Sequence, residues 1–222
     1  MNTRLMAWTM AAGLAAGAAG AAPKPFEGSI SMTMDHAGTS TPSVWRMKGA
    51  KTRMEMSGGP HGGMTMILDA GRKIMIMLMT EQKMYMEMPL QAPRGAAAAG
   101  TKGAKVVKTG KQQKILGYLC DEYRAEGDHG TAEIWAAKGL GTFAPMGGGQ
   151  PGAPRAAWED EMIRGGYFPL RMVNHDASGA ETMKMTVTAI EPGTLADALF
   201  APPADYQKFS MPAGAMGGGP PH

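Results

Sequence analysis

The stretch Arg72-Lys73-Ile74-Met75-Ile76-Met77-Leu78-Met79, followed by the turn Thr80-Glu81-Gln82 and the return Lys83-Met84-Tyr85-Met86-Glu87-Met88, decides the reading of this chain. The first arm is apolar at every position from Ile74 onward, so no single face is marked for solvent. Such an arm is expected in the middle of a sheet covered on both sides. The return arm alternates methionine with Lys83, Tyr85 and Glu87, which predicts a strand with one buried face. Together they read as an antiparallel hairpin.

Working outward, the same every-second-residue methionine recurs at Met32/Met34, Met54/Met56, Met64/Met66 and Met183/Met185. Phe26, Gly28, Ile30, Met32 and Met34 alternate with Glu27, Ser29, Ser31, Thr33 and Asp35, which predicts a first strand with one wet face. Ser43-Val44-Trp45-Arg46-Met47-Lys48 is a second strand, turned by Gly49-Ala50. In Lys51-Thr52-Arg53-Met54-Glu55-Met56 the residues Thr52, Met54 and Met56 point inward. Short connections favour an antiparallel meander over helix-linked parallel strands.

Residues 89–103 and 139–154 lose periodicity and read as loops. Between them, residues 105–116, 117–125 and 131–136 resume strand character, with a turn at Gly127-Asp128-His129-Gly130. Residues 156–164 form the best helix of the chain, with Trp158 and Met162 on one face and Gly165-Gly166 ending it. Its Glu159-Asp160-Glu161 cluster reads as a wet face that suits the N-terminal dipole. Residues 167–174 and 181–190 form a closing pair of strands.

The chain has 222 residues and a formal charge of +3. Its start reads as an export signal: Arg4, a short apolar run, then Ala19-Gly20-Ala21, which places cleavage after Ala21. The expected organisation is a signal peptide over 1–21, one β domain over 22–211 and a flexible tail over 212–222. Export implies a periplasmic location. Losing Arg4 leaves a small, scattered charge, which argues against nucleic acid as a partner. Cys120 is the only cysteine, so no disulfide within the chain can form, and burial is its expected state.

Five motifs carry a resemblance. They are Phe26-x-Gly28; Gly117-Tyr118-x-Cys120-x-x-Tyr123; Glu133-Ile134-Trp135 followed by Leu140-Gly141; Gly166-Tyr167-x-Pro169-Leu170; and Leu199-Phe200-x-x-Pro203-x-x-Tyr206. The chain resembles an exported bacterial family of unknown function, itself similar to the LolA/LolB lipoprotein carriers of the periplasm. Ala204-Asp205 stands where that pattern has Ala-Gly. The resemblance implies a mainly β fold, a curved antiparallel sheet or incomplete β-barrel, with one or two helices packed against its concave side. It supplies no catalytic residues.

Of the chemistry-bearing residues, the 23 methionines dominate. A flexible thioether fills irregular gaps, so many serve as core. A chain seeking only stability would place Val and Ile in its strands, whereas promiscuous apolar surfaces use methionine because it re-packs. The expected site is therefore a methionine wall for an acyl chain, a lipid or a lipidated peptide, formed by Met32, Met34, Met54, Met56, Met66, Met84 and Met86 with Trp135 and Trp158. Such a role brings transient contact with the membrane or an envelope protein. A soft-metal reading competes, since thioethers suit Cu(I) and Ag(I). Sulfurs along a strand start about 6.8 Å apart, while cross-strand neighbours start about 5 Å apart. His36 and His61 lie in adjoining loops. A third reading is a structural envelope protein without ligand. No phosphate-cradling glycine motif, zinc spacing or nucleophile elbow is present, and acidic neighbours disfavour a thiolate at Cys120. The sequence thus points to a non-catalytic protein that needs no cofactor.

Overall fold

The computed structural model describes residues 25–58, 63–90, 105–127, 130–141, 143 and 157–210. The expected signal peptide, His61, His129, the expected tail and most of both low-complexity segments lie outside the described residues.

Among the described residues twelve strands form one sheet: β1 (Glu27–His36), β2 (Thr39–Lys48), β3 (Lys51–Met56), β4 (Met64–Asp69), β5 (Ile74–Met79), β6 (Met84–Pro89), β7 (Lys105–Ile115), β8 (Tyr118–Gly127), β9 (Gly130–Lys138), β10 (Tyr167–His175), β11 (Glu181–Pro192) and β12 (Gln207–Lys208). Their order is β12-β6-β5-β4-β3-β2-β1-β11-β10-β9-β8-β7, open at both ends. Two meanders, β1 to β6 and β7 to β11, are thus joined where β1 pairs with β11. Every pairing is antiparallel except that of the two-residue β12 with β6.

The expected hairpin of β5 and β6 forms, with Met77 opposite Met86 and Met79 opposite Met84. β5 is flanked by β4 and β6 but lies only third from one edge of the sheet, not at its centre. Its two apolar faces meet different surroundings. On one, Ile76 and Leu78 are buried with Ile67 of β4 under Phe200. Phe200 ends a 3-10 helix (Asp197–Phe200), flanked by Leu195, Leu199 and Tyr206. This cover explains the Leu199-Phe200-x-x-Pro203-x-x-Tyr206 motif. It is fastened by Arg53 Nη1 donating to the Leu199 carbonyl at 3.0 Å and Lys48 Nζ to that of Leu195 at 2.7 Å. Asp205, the departure from Ala-Gly, pairs with Lys83 at 2.9 Å in an exposed bridge, a contact that contributes little in water.

The other face carries the main core. Trp45 is its hub: the Phe143 ring stacks on it at 5.7 Å, and Phe168 meets it edge-on at 5.8 Å. The helix α1 (Ala157–Gly165) adds Trp158 and Met162 to the same cluster. α1 is thus the one α-helix among the described residues, and the 3-10 helix sits on the opposite face. Glu159, expected in solvent, is only 6% exposed, because it neighbours Trp158 on the packed side of α1. Gly28 of the first motif has a steric cause: a Cβ there would lie 2.4 Å from the Glu191 carbonyl oxygen of the neighbouring strand.

In β8, whose sidedness alternation left open, Cys120 and Glu122 are buried and Leu119 is exposed. Burial pushes the Cys120 thiol pKa up, with the Asp121 charge adding to the effect, which is the opposite of thiolate activation. Glu122 faces a register shift in β7 between Lys108 and Gln112, where Thr109 Oγ1 donates to its carboxylate and Lys111 Nζ lies 3.2 Å away. Burial pushes the Glu122 pKa up, but the Thr109 and Lys111 hydrogen bonds and the nearby cations outweigh it, leaving it below the ordinary value. A lowered folded-state pKa stabilises at neutral pH and ceases to do so as pH falls through it. Glu122→Gln is therefore expected to cost about 1–3 kcal/mol at pH 7. In urea titrations the gap to the wild type should close on acidification below about pH 4, the ordinary glutamate range.

Candidate functional site

Directly opposed residues in an antiparallel pair share a face, so the register assembles the wall strand by strand. Trp45 pairs with Met54, Met54 with Met66, Met66 with Met77 and Met77 with Met86. One step along the strands, Ser43 pairs with Met56, Met56 with Met64, and Met79 with Met84. Across β1, Met32 opposes Ser43, and Met34 pairs with Met185, which pairs with Met172. All the methionines of the expected site therefore occupy one face, the one that bears α1.

Their surroundings divide them. Met32 and Met54 are 1% and 3% exposed and belong to the core with Trp158, so they offer no free surface. Met34 and Met66 are part-buried at its margin. Met56, Met84 and Met86 are part-buried outside that cluster, and Met77 and Met79 join them. Met64 is 40% exposed. Trp135 stands on the opposite face, because its neighbour Ile134 is the one opposed to Met172. There its indole N–H donates to Glu133 at 2.7 Å, and the Arg171 guanidinium lies 5.3 Å over its ring.

The open part of the wall borders a groove of about 1110 Å³ beside Gly58, Gly63 and the β5–β6 turn, lined by Met56, Met64, Met77, Met79 and Met84 and by the polar Thr41, Glu55, Ser57, Thr65, Thr80, Glu81 and Gln82. The sequence set omitted Met64, Met77 and Met79. Alternation on β5 gives two equally apolar faces, and only the register with β4 and β6 shows which one joins the wall.

The two faces of β4, β5 and β6 differ in composition. Beneath Phe200 lie Ile67, Ile74, Ile76, Leu78 and Tyr85. On the wall, every position of these three strands except Leu68 is methionine. Stiff side chains pack under Phe200, while the methionines of the other face are left part-open or exposed, except the buried Met88.

For a harder metal, no group of three or more His, Cys, Asp or Glu is placed to hold an ion among the described residues. His36 Nδ1 donates to the Thr182 carbonyl at 3.0 Å. Among the described residues the soft-metal alternative rests on thioethers. No described helix is long and apolar enough to cross a membrane.

An unclosed, almost wholly antiparallel sheet with one helix on one face places the protein in the architectural class expected from its motifs. The chain belongs to the family described as domain of unknown function DUF4412, whose profile matches residues 26–206. No curated protein matches it in sequence. Among solved structures, an uncharacterized conserved protein from Thermus thermophilus superposes with a TM-score of 0.52 at 11% identity, over 82% of this chain and 88% of that one. A chain of the Pseudomonas aeruginosa MucA/MucB complex gives 0.46 at 9% identity, over 83% of this chain and 58% of that one. A domain assigned to an outer membrane lipoprotein-sorting protein of Vibrio parahaemolyticus gives 0.30 at 9%, over 78% and 87%. At these identities the likeness concerns the fold alone.

Proposed function

We propose that this is an exported, non-catalytic binding protein whose part-open methionine wall takes an apolar ligand of the acyl-chain, lipid or lipidated-peptide class. One observation carries the reading: the apolar residues that β4, β5 and β6 pack under Phe200 are Ile, Leu and Tyr, whereas on their other face every residue but Leu68 is methionine. Were thioethers only filler, the two faces of one strand would have no reason to differ. A groove of about 1110 Å³ is ample beside the roughly 300–1,000 Å³ of ordinary small-molecule sites. Each methylene moved from water into such a wall contributes about 0.8 kcal/mol, so affinity should grow with chain length.

Titration of the purified protein with a fluorescent fatty acyl probe tests this. Saturable binding is expected, with competition that strengthens as the competing chain lengthens. No saturable binding, together with no lipid in an organic extract of the protein, would contradict it.

A further inference from the structure

At the end of β1 an imidazole joins the thioethers. His36, the last residue of that strand, stands opposite Met183 of β11, and Met34, two residues before it, stands opposite Met185. Alternate residues of a strand share a face, so these four side chains form a square on the wall side of the sheet. Directly opposed Cβ atoms lie about 5 Å apart, and residues two apart on one strand about 6.8 Å. Flexible, unbranched thioethers bridge such gaps. Exposure divides the four. Met185 is 1% exposed and sealed in the core, whereas Met34 and Met183 are part-buried at its margin and His36 is exposed. An ion arriving from solvent therefore meets one imidazole and two thioethers.

The imidazole is held as a metal ligand is held. Its Nδ1 donates to the Thr182 carbonyl at 3.0 Å. A carbonyl only accepts, so Nδ1 carries the proton and the neutral ring keeps a free lone pair on Nε2. Histidines that bind metals characteristically donate one ring nitrogen to a carbonyl or carboxylate, which fixes the tautomer, and ligate with the other. Both ends of this hydrogen bond are themselves fastened. Ala37 and Gly38, with φ of 48° and 78°, make the two-residue turn that sets His36 against Thr39 of β2. Thr182 Oγ1 donates to the Asn174 carbonyl at 3.3 Å. The nearest charged pair along the ladder, Asp35 and Lys184, lies on the reverse face, so no ammonium repels a cation from between the donors.

We infer that His36 Nε2, Met34 Sδ and Met183 Sδ form a binding site for a soft monovalent ion, Cu(I) or Ag(I). Thioethers favour such an ion, and imidazole suits copper. Mg(II) and Ca(II) require oxygen ligands, and Zn(II) takes thiolate, imidazole or carboxylate, so this donor set discriminates against all three. The site stands apart from the groove: Thr41, opposite Met34, lines the groove, but Met34, His36 and Met183 do not. It is therefore independent of the acyl-binding proposal.

Calorimetric titration of the untagged protein with Ag(I), which needs no reductant, tests the site. One tight event of one ion per chain is expected, undisturbed by about a tenfold excess of Zn(II), given its preference for harder donors. Loss of even an outer partner of a metal ligand costs about 10–100-fold in affinity, so His36→Ala and Met183→Leu should each weaken the event by about 100-fold or more. The thermal midpoint should hold, since His36 is exposed and leucine conserves apolar volume. Nitrogen-15 NMR should show the His36 Nε2 signal shifting at saturation while Nδ1 keeps its proton. Replacing Met77, Met79 and Met84 together by leucine should leave the event unchanged. No tight event, one that survives His36→Ala, or one abolished by the groove substitutions would overturn the site, and each leaves the acyl-binding proposal as it stands.

Discussion

Trp45→Ala is expected to lower stability by about 3–5 kcal/mol, the largest effect of any single substitution in this protein. Trp45 is 0% exposed and is gripped by Phe143 face-on and Phe168 edge-on. Phe143 in turn lies 5.8 Å from Trp158, so the indole ties α1 to the sheet. Aromatic pairs add roughly 0.5–1.5 kcal/mol beyond area burial, and a space the size of an indole cannot close when strands on both sides hold the backbone. Against a typical total of about 5–15 kcal/mol the variant should show a sharply lower urea midpoint and, at the upper end of the cost, fail to fold. A midpoint within about 1 kcal/mol of the wild type, far below the usual cost of such a cavity, would show that the helix is not anchored through this residue.

The second large effect concerns binding rather than stability. Replacing Met77, Met79 and Met84 together by leucine conserves apolar character and volume, a change that costs under about 1.5 kcal/mol at each well-packed site. These side chains are only part-buried, so folding should be nearly untouched. Leucine lacks the unbranched, adaptable thioether. The variant should keep its affinity for a straight-chain probe and lose about tenfold or more for branched or bulky ones, the range a misfit of one or two methylenes produces. Wild-type affinities should be nearly flat across the same series. If variant and wild type discriminate alike, the methionines serve no purpose that leucine cannot, and the filler account holds for the open wall as well as for the core.

Much of this was legible in the chain. Alternation in β1, β3 and β6 puts Met32 with Met34, Met54 with Met56 and Met84 with Met86, because a strand places every second residue on the same side. The turn residues gave the first meander. What periodicity cannot give is which element covers which face. Ile76 and Met77 look alike in a hydrophobic pattern, yet Phe200, more than a hundred residues later, seals one and leaves the other part-open. Trp135 falls on the far face for the same reason, since its sidedness depends on pairing with β10 rather than on its own strand. The burial of Glu122 depends on extra residues in β7 that bring Thr109 and Lys111 to its carboxylate, and no local signal announces them. β12 is two residues long and pairs parallel with a strand far back in the chain, too short to leave a period. The pairing of His36 with Met183 is visible only once β1 and β11 are aligned.

The central claim is that the thioethers beyond the helix, and not those beneath it, yield to an apolar guest. Methionine methyl-labelled NMR of the folded protein, titrated with a long-chain acyl ester, reads each of these side chains separately. Saturable shifts should appear at Met56, Met77, Met79 and Met84, which line the groove. Met162 and Met185, at 0% and 1% exposed, should hold their positions. Methyl signals that stay unmoved along the groove at saturating ester, or that move only in the buried set, would contradict the account.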